Sequence, residues 1–165
     1  IGKVGSKLAK LLINDNVHLI IADIDRLALN TLKKEIPCTE VEVTEIHKAN
    51  CNIFSPCALG NIINASTRRQ LRCNAIVGSA NNQLDNIETD KWLFENNIVY
   101  APDYLVNSGG VIAISAEIYD TLDKVDEQLE QINDRTMEVL VRSKIENIPT
   151  DKVSREIAWN RINGI

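Results

Sequence analysis

The sequence predicts an α/β protein with a doubly wound parallel sheet and additional helices at its C-terminal end. Short continuous apolar runs alternate with segments of helical spacing over the first hundred residues. Such runs are typical of strands buried in a parallel sheet, and helices between them give right-handed crossovers. A turn containing two glycines opens the first helix, and only helical patterns follow Gly110. These three observations together predict the fold class.

Five strands are predicted, each from a short run of mostly apolar residues. The first, at 17–23, ends in the carboxylate of Asp23. The other four are expected at 41–43, 51–55, 75–78 and 98–101. In open α/β sheets, ligands bind outside the carboxyl ends of the strands. The loops that follow these strands are therefore the expected location of a binding site.

Helices are predicted between the strands, at 3–12 and 27–36 from apolar residues that recur at helical spacing. A short helix at 45–48, a polar helical segment at 66–71 and a helix at 86–96 are also expected. Pro37 should end the second of these helices, because proline has no N–H group to donate inside a helix.

The C-terminal part of the chain, from about 121 to 165, is predicted to contain helices only. Apolar positions from Leu122 to Val139 recur at alternating steps of three and four, which gives one apolar helical face. Pro149 interrupts this pattern, so one helix is expected at 122–145 and a last one to about 161. Because there is no internal repeat or low-complexity segment, residues 1–165 are predicted to form one domain.

The turn at the start of the chain has the spacing of a dinucleotide-binding fingerprint. Gly2 and Gly5 match the last two glycines of G-x-G-x-x-G, and the first would stand just before Ile1. A glycine lets the backbone approach a pyrophosphate, and the following helix directs its N–H groups and positive dipole end at the phosphates. Gly2, Lys3, Val4 and Gly5 are therefore predicted to bind a cofactor in a Rossmann-like fold. No strand precedes the turn, so we expect a fragment that lacks the first strand of its sheet.

Asp23 supports this interpretation, because it ends the next strand 21 residues after Gly2. The fingerprint places there an acid that accepts hydrogen bonds from the adenosine ribose and repels the extra phosphate of NADP. NAD is thus the predicted cofactor. Two alternatives stay open: the glycines could belong to an ordinary loop-to-helix turn, and Asp23 could be a solvated residue at a strand end. The nearby Arg26 could also serve a 2′-phosphate.

Composition argues against several classes of protein. With a formal net charge of −5 and no long run of like charge, there is no indication of a nucleic-acid or membrane partner. No apolar run approaches the ~20 residues of a membrane span, and no signal peptide is recognisable, so a cytoplasmic location is expected. The four cysteines show no C-x-x-C spacing and only two histidines accompany them. Reduced thiols are therefore expected, and no metal site.

Four stretches near the predicted strand ends carry a more specific signal. They are Pro56-Cys57-Ala58-Leu59-Gly60, Gly78-Ser79-Ala80-Asn81-Asn82-Gln83-Leu84, Tyr100-Ala101-Pro102-Asp103-Tyr104 and Asn107-Ser108-Gly109-Gly110-Val111-Ile112. In this order and spacing they closely resemble the family of leucine, valine and phenylalanine dehydrogenases, relatives of glutamate dehydrogenase. The likeness extends over essentially the whole chain.

The resemblance implies an enzyme that oxidatively deaminates an L-amino acid to a 2-oxo acid and ammonia, with hydride passing to NAD. It implies that Cys57, Ala58 and Asn81 line the nicotinamide ribose and that Asn82 lies near the substrate. From the residues alone, the Asn81–Asn82 pair could instead be merely a turn.

The resemblance further implies that Val111 and Ile114 form part of the pocket for the substrate side chain. Apolar groups there suit a branched aliphatic amino acid, with leucine as the first expectation. Their spacing alone is equally that of two core residues one helical turn apart.

No catalytic residue is predicted within this chain. In the family, two lysines and an aspartate act on the substrate, and they belong to a preceding N-terminal domain that is expected to be absent here. The chain alone should therefore bind NAD weakly and turn over nothing, while the intact protein is expected to be a homo-oligomer. A valine or phenylalanine dehydrogenase remains an alternative, as does a non-catalytic NAD-binding regulatory module.

Overall fold

The computed structural model describes residues 1–164, in which all strand pairs are parallel. One sheet pairs β1 (Ile20–Ile21) with β2 (Thr39–Glu40). A second sheet contains β3 (Ile53–Phe54), β4 (Ala75–Ile76) and β5 (Val99–Tyr100), in that order. The prediction of an α/β fold with parallel strands and C-terminal helices is confirmed.

Helices connect the strands and make up the C-terminal part of the described chain. They are α1 (Lys3–Leu12), α2 (Arg26–Glu35), α3 (Ile87–Glu95), α4 (Asp103–Val106), α5 (Gly109–Ile118), α6 (Val125–Glu146) and α7 (Thr150–Asn163). Single 3₁₀ turns lie at Ile13–Asp15, Ile46–Lys48, Arg68–Gln70 and Leu122–Lys124. The last residue of the predicted helical region, Ile165, lies outside the described residues.

The helices predicted at 45–48 and 66–71 are only single 3₁₀ turns. One predicted strand was also misplaced, and one short helix was missed. The strand expected at 41–43 lies at Thr39–Glu40, because its register with β1 is set by bonds from Thr39 N to Leu19 O (2.8 Å) and from Val41 N to Ile21 O (3.0 Å). The short helix α4 was not predicted, since its four residues show no helical period.

The strands of the second sheet were expected to be buried on both faces, and only one face is buried. Ile53 and Val99, which are in register with Ala75, are 59% and 45% exposed. Their sequence neighbours Phe54 and Tyr100 point the other way and are buried. The buried face forms a core cluster of Phe54, Ile63, Cys73, Ile76, Leu93 and Tyr100.

The two sheets are not joined to each other by any strand pairing within residues 1–164. In the doubly wound order 3-2-1-4-5-6, strand 1 precedes the glycine turn and lies between strands 2 and 4. In this chain β1 and β3 correspond to strands 2 and 4, so the division between the two sheets falls at the position of strand 1. The glycine turn therefore emerges between the two groups of strands.

The C-terminal helices have a small core of their own. Val139 of α6 packs against Val153 and Ile157 of α7, and Leu105 of α4 contacts the same cluster. Helix α7 also packs against α3. These contacts attach the C-terminal helices to the β4–β5 side of the sheet.

A buried carboxylate lies where α3 meets the start of α7. Asp90 of α3 is only 3% exposed. Burial, reinforced by the negative charge of Asp151, raises the pKa of Asp90 from 3.8 to about 6. Hydrogen bonding to the Asp151 backbone and the charge of Arg155 oppose this change only in part. The Asp151 carboxylate is itself held by the Tyr104 hydroxyl (3.0 Å) and Arg155 Nε (2.7 Å).

We expect the substitution Asp90→Asn to stabilise the protein above pH 6 but not near pH 4. A folded-state pKa above the unfolded value means that the native state favours the protonated acid, so stability is lost as pH rises through this range. With a pKa of about 6 against 3.8, the loss amounts to about 3 kcal/mol when complete. The measurement is the free energy of unfolding of both proteins at pH 4.5 and pH 8. An equal effect of the substitution at the two pH values would contradict the raised pKa.

Candidate functional site

The glycine turn presents an uncapped helix end. Helix α1 begins at Lys3 with Gly2 at its N-cap, and neither a side-chain cap nor an acidic residue satisfies its first turn. Gly2, Lys3 and Val4 are exposed. The N–H groups and positive dipole end of this turn are thus open to an anion.

Gly5 brings α1 close to the loop that follows β3. It is buried, and a Cβ at this position would lie 3.3 Å from the Cβ of Cys57. The absence of a side chain therefore allows the close packing of helix against loop that the fingerprint requires of its last glycine.

Asp23 lies beside this turn. Its side chain is 16% exposed and lies against the backbone nitrogen of Ile1, and its Oδ1 accepts a hydrogen bond from Asp25 N at 2.9 Å. The carboxylate that follows β1 and the turn that precedes α1 therefore share one corner of the molecule, and Asp23 is not a freely solvated residue.

The two charged residues after Asp23 are engaged elsewhere. Asp25 caps α2, because its carboxylate accepts hydrogen bonds from Leu27 N (2.9 Å) and Ala28 N (3.0 Å). Arg26 pairs with Glu40 and also contacts Glu42 at 3.4 Å. The positive charge of Arg26 is thus largely balanced by carboxylates.

The loops that follow β3 and β4 touch each other. Cys57 is half-buried and Ala58 is exposed, and both follow β3 directly. A Cβ added to Gly60, in the same loop, would lie 2.7 Å from the carbonyl oxygen of Asn81 and 2.8 Å from that of Asn82. Only glycine allows this approach, since both neighbours are backbone atoms.

The loop after β4 is fixed by buried hydrogen bonds. Gln83 is fully buried, and its Nε2 donates to the carbonyl oxygens of Gly78 (2.7 Å) and Ala80 (3.0 Å). Its backbone N–H donates to Asp103 Oδ2 at 2.7 Å. The Tyr100 hydroxyl donates to the same oxygen at 3.0 Å. Burial and this bonding raise the pKa of Tyr100 well above its usual value, so the hydroxyl stays a donor.

Asn81 and Asn82 lie at the exposed tip of this loop. Asn82 has a positive φ of 52°, which asparagine tolerates better than most residues. The backbone bends at Asn81 and Asn82, and their role in ligand binding stays a prediction. The Asn81 side chain is engaged as well, because Asn107 Nδ2 lies 2.6 Å from its Oδ1.

A continuous series of contacts joins these features, and we call it the strand-end arc. It runs from Asp23 through the glycine turn and the loop after β3 to Asn81 and Asn107. Of the predicted cofactor-binding positions, Asp23, Gly5, Cys57 and Asn81 lie on this series of contacts. The other four, Gly2, Lys3, Val4 and Ala58, are their neighbours in the sequence. Four further residues of the quoted stretches shape these loops, although their roles were not predicted from the sequence: Gly60, Gln83, Asp103 and Asn107.

The two predicted pocket residues are not in the core. Val111 and Ile114 lie one turn apart on α5 and are 70% and 60% exposed. The alternative that they are core residues is wrong, because α5 packs on α6 through its other side. A role in substrate binding is not tested by this exposure.

The described residues offer few other candidates for chemistry. In residues 1–164, no group of three or more His, Cys, Asp or Glu side chains could hold a metal ion. All four cysteines are free, and burial raises the pKa of Cys73 to about 11. In the same part of the chain, no helix combines the length and the apolar character needed to cross a membrane.

Comparison with known proteins gives concordant matches. The family model described as Glutamate/Leucine/Phenylalanine/Valine dehydrogenase matches residues 1–162. The chain is 41% identical to the phenylalanine dehydrogenase of Thermoactinomyces intermedius over 165 residues, and 37% identical to the leucine dehydrogenase of that organism over 163 residues. Each match covers 98% of this chain, but only 45% and 44% of the respective relatives.

A solved structure agrees closely with this fold. The crystal structure of L-tryptophan dehydrogenase from Nostoc punctiforme superposes with a TM-score of 0.95 at 34% identity. The match covers 100% of this chain and 51% of the other. The chain thus spans about half the length of the relatives it matches.

We expect Gly60→Ala to weaken NADH binding by about fivefold or more, because overpacking typically costs ~1–3 kcal/mol. The new Cβ would push against the backbone of Asn81 and Asn82. The measurement is the Kd for NADH from fluorescence titration of the full-length protein.

Gly110→Ala is the matched control, since a Cβ there meets nothing within 4 Å and the residue is helical. Equal Kd values for wild-type protein and Gly60→Ala would show that the contact between the two loops does not shape the binding site.

Proposed function

Since the chain belongs to the glutamate/leucine/phenylalanine/valine dehydrogenase family, we propose that the whole protein catalyses the NAD-dependent oxidative deamination of an apolar L-amino acid. The family comprises NAD(P)-dependent oxidoreductases that act on CH–NH₂ groups, and the resemblance found in the sequence is confirmed. In this reaction the amino acid would lose a hydride from Cα to NAD and a proton to solvent, and water would hydrolyse the resulting imine to a 2-oxo acid and ammonia. NAD would accept the hydride, and the protein would hold NAD and the amino acid in the required relative orientation.

The strand-end arc is the observation that supports this function. In the proposal, the adenosine ribose binds Asp23 and the pyrophosphate binds the open N-terminus of α1. The nicotinamide half then extends along Cys57 and Ala58 toward Asn81. Gly5 and Gly60 support the fit, because side chains at either position would crowd the loops of the arc.

A preference for NAD over NADP follows from the charges at the start of the arc. The Asp23 carboxylate can accept hydrogen bonds from a ribose diol and repels a 2′-phosphate. Arg26, the residue considered as a partner for that phosphate, is paired with Glu40. The observed pairing therefore weakens the alternative that Arg26 receives the phosphate of NADP.

Leucine is the proposed substrate, with phenylalanine as the second candidate. Val111 and Ile114 present exposed apolar groups on α5, and α5 begins two residues after Asn107. Together with Asn82, they are proposed to contact the amino acid. Phenylalanine is the second candidate because the chain is 41% identical to a phenylalanine dehydrogenase.

This chain is not proposed to supply the acid–base groups of the reaction. The lysines and the aspartate that the family uses are proposed to lie in the rest of the whole protein. A homo-oligomeric assembly and a cytoplasmic location complete the proposal.

The decisive experiment follows NAD reduction by the full-length protein with leucine, valine, phenylalanine, tryptophan and glutamate, each with NAD or NADP. We expect turnover of leucine with NAD. Turnover of phenylalanine alone would show that phenylalanine, and not leucine, is the substrate. NADH binding without turnover of any amino acid would favour the regulatory module.

The role of Asp23 can be tested separately with Asp23→Ser. Loss of a charge-assisted hydrogen bond, typically ~1.5–3 kcal/mol, should raise the KM for NAD by about tenfold or more. The KM for NADP should fall, since the repulsion is removed. Initial rates with both cofactors measure the two effects.

Asp25→Asn is the control, because asparagine caps a helix as well as aspartate does and Asp25 already serves α2. An unchanged ratio of NAD to NADP efficiency in Asp23→Ser would refute the assignment of the ribose to Asp23.

A further inference from the structure

Two of the four free cysteines are neighbours across the second sheet. An isolated bridge pairs Asn50 with Arg72, and the parallel pairing of β3 with β4 continues in the same register. Cys51 and Cys73 each follow one residue after this bridge, so they lie opposite each other on adjacent strands. The backbone N–H of Cys51 donates to the carbonyl oxygen of Arg72 at 3.2 Å, which fixes the register at this point.

The two cysteine side chains point to the same face of the sheet. Residues opposite each other on paired strands project to one side, because side chains alternate along both strands with the same period. The core contacts agree, since Cys73 belongs to the cluster that contains Phe54 and Ile76, and Cys51 packs against this cluster. Both thiols therefore lie on the buried face of the sheet.

The spacing of the strands suits a bond between the two sulfur atoms. Neighbouring strands lie about 4.8 Å apart. The Cα atoms of a disulfide are usually separated by about 4.4–6.8 Å. Cys51 and Cys73 are thus close enough to be joined with little movement of the backbone.

Burial controls how readily each thiol reacts. It raises the pKa of Cys73 to about 11, and the negative charge of a Cys51 thiolate contributes to this rise. Burial also raises the pKa of Cys51. Because the thiolate is the attacking species, both cysteines react slowly near neutral pH. Cys51 is half-buried and Cys73 is only 8% exposed, so a reagent in solution reaches Cys51 first.

We infer that Cys51 and Cys73 form a reversible redox site, at which a low-molecular-weight disulfide oxidises the two thiols to a disulfide bond between β3 and β4. This inference is independent of the proposed function, because it involves neither the cofactor nor the amino acid.

The oxidation proceeds in two exchange steps. Cys51 loses its proton to solvent, and its sulfur attacks one sulfur of the reagent. The S–S bond of the reagent breaks, and one thiolate leaves and takes up a proton. Cys73 then loses its proton and attacks the sulfur of Cys51, which expels the second thiolate. In total the cysteines give up two electrons and two protons, and the reagent disulfide is reduced to two thiols.

The position of the bond determines its effect. Cys51 and Cys73 precede β3 and β4, whereas the loops of the strand-end arc follow these strands. The bond therefore joins the strands at the end remote from the arc and closes the segment between them into a loop. A disulfide stabilises a protein mainly by restricting its unfolded chain. Oxidation is thus expected to stabilise the sheet.

The alternative is that the two thiols serve only as small apolar side chains of the core. Each cysteine would then react independently of the other. A reagent disulfide would leave Cys51 as a mixed disulfide and Cys73 as a free thiol. The products of the reaction therefore distinguish the two roles.

The experiment treats the folded full-length protein with oxidised glutathione and identifies the products by non-reducing peptide mass spectrometry. We expect peptides joined through Cys51 and Cys73, and their separation after dithiothreitol. The melting temperature of the oxidised protein should be higher by about 4 °C or more.

Three variants make the assignment specific. Cys73→Ala should stop the reaction at the mixed disulfide, so that Cys51 carries one glutathione. Cys51→Ala should leave Cys73 unmodified, because Cys73 is buried. Cys38→Ala is the matched control, since Cys38 is also half-buried but packs against the other core cluster, and it should form the same cross-link as wild type.

The wild-type protein alone can overturn the inference. Two unreacted thiols after prolonged incubation would do so, and so would glutathione on Cys51 with Cys73 still free. A cross-link that forms only in denaturant would have the same meaning. A lower melting temperature of the cross-linked protein would also contradict the inference, because the bond would then strain the sheet.

Discussion

The Asp103 carboxylate organises the edge of the sheet on which the candidate site depends. One of its oxygens accepts hydrogen bonds from Gln83 N and from the Tyr100 hydroxyl, so it joins the loop after β4 to the end of β5 and the start of α4. All three groups are buried, and a buried polar group left without a partner is costly. The bonds therefore favour a single arrangement of the loop, in which Asn81 and Asn82 point outward at a defined place.

Backbone proximity, more than side-chain chemistry, shapes the rest of the strand-end arc. Gly5 allows α1 to lie against Cys57, and Gly60 allows the loop after β3 to lie against the backbone of Asn81 and Asn82. A Cβ at Gly60 would displace the facing backbone, whereas a Cβ at Gly5 would crowd Cys57 at 3.3 Å. The site is thus built mainly from helix ends, main-chain groups and amides, an arrangement that suits binding and orientation of a cofactor more than acid–base catalysis.

The same chain also carries features that reduce its own stability. Asp90 is buried beside a second carboxylate where α3 meets α7. Apolar side chains of α5, including Val111 and Ile114, are exposed. Exposed apolar groups next to a ligand site are common where a substrate or another part of a protein covers them. The matched relatives are about twice as long as this chain, and the proposed substrate pocket accordingly involves more than these residues.

The sequence by itself determined the fold class, the glycine turn and the family. Apolar periodicity and turn residues are local signals, and they located α1, α2, α3 and four of the five strands within a few residues. The order of the four quoted stretches identified the family before any contact was known. Local patterns were insufficient for β2, because its register depends on hydrogen bonds to β1. They also could not predict that one face of β3 and β5 is exposed, because burial depends on what packs against a strand.

Only the tertiary structure decided how the candidate residues meet. That Gly5 lies against Cys57, that Gly60 approaches Asn81, and that Asn107 engages the Asn81 amide are contacts between residues far apart in sequence. A sequence pattern specifies which groups are available, but their hydrogen-bond direction is set by the neighbours that the fold brings within 3 Å. The contact of Asn107 with the loop after β4 is of this kind, because the fold alone brings its amide beside Ser79 and Asn81.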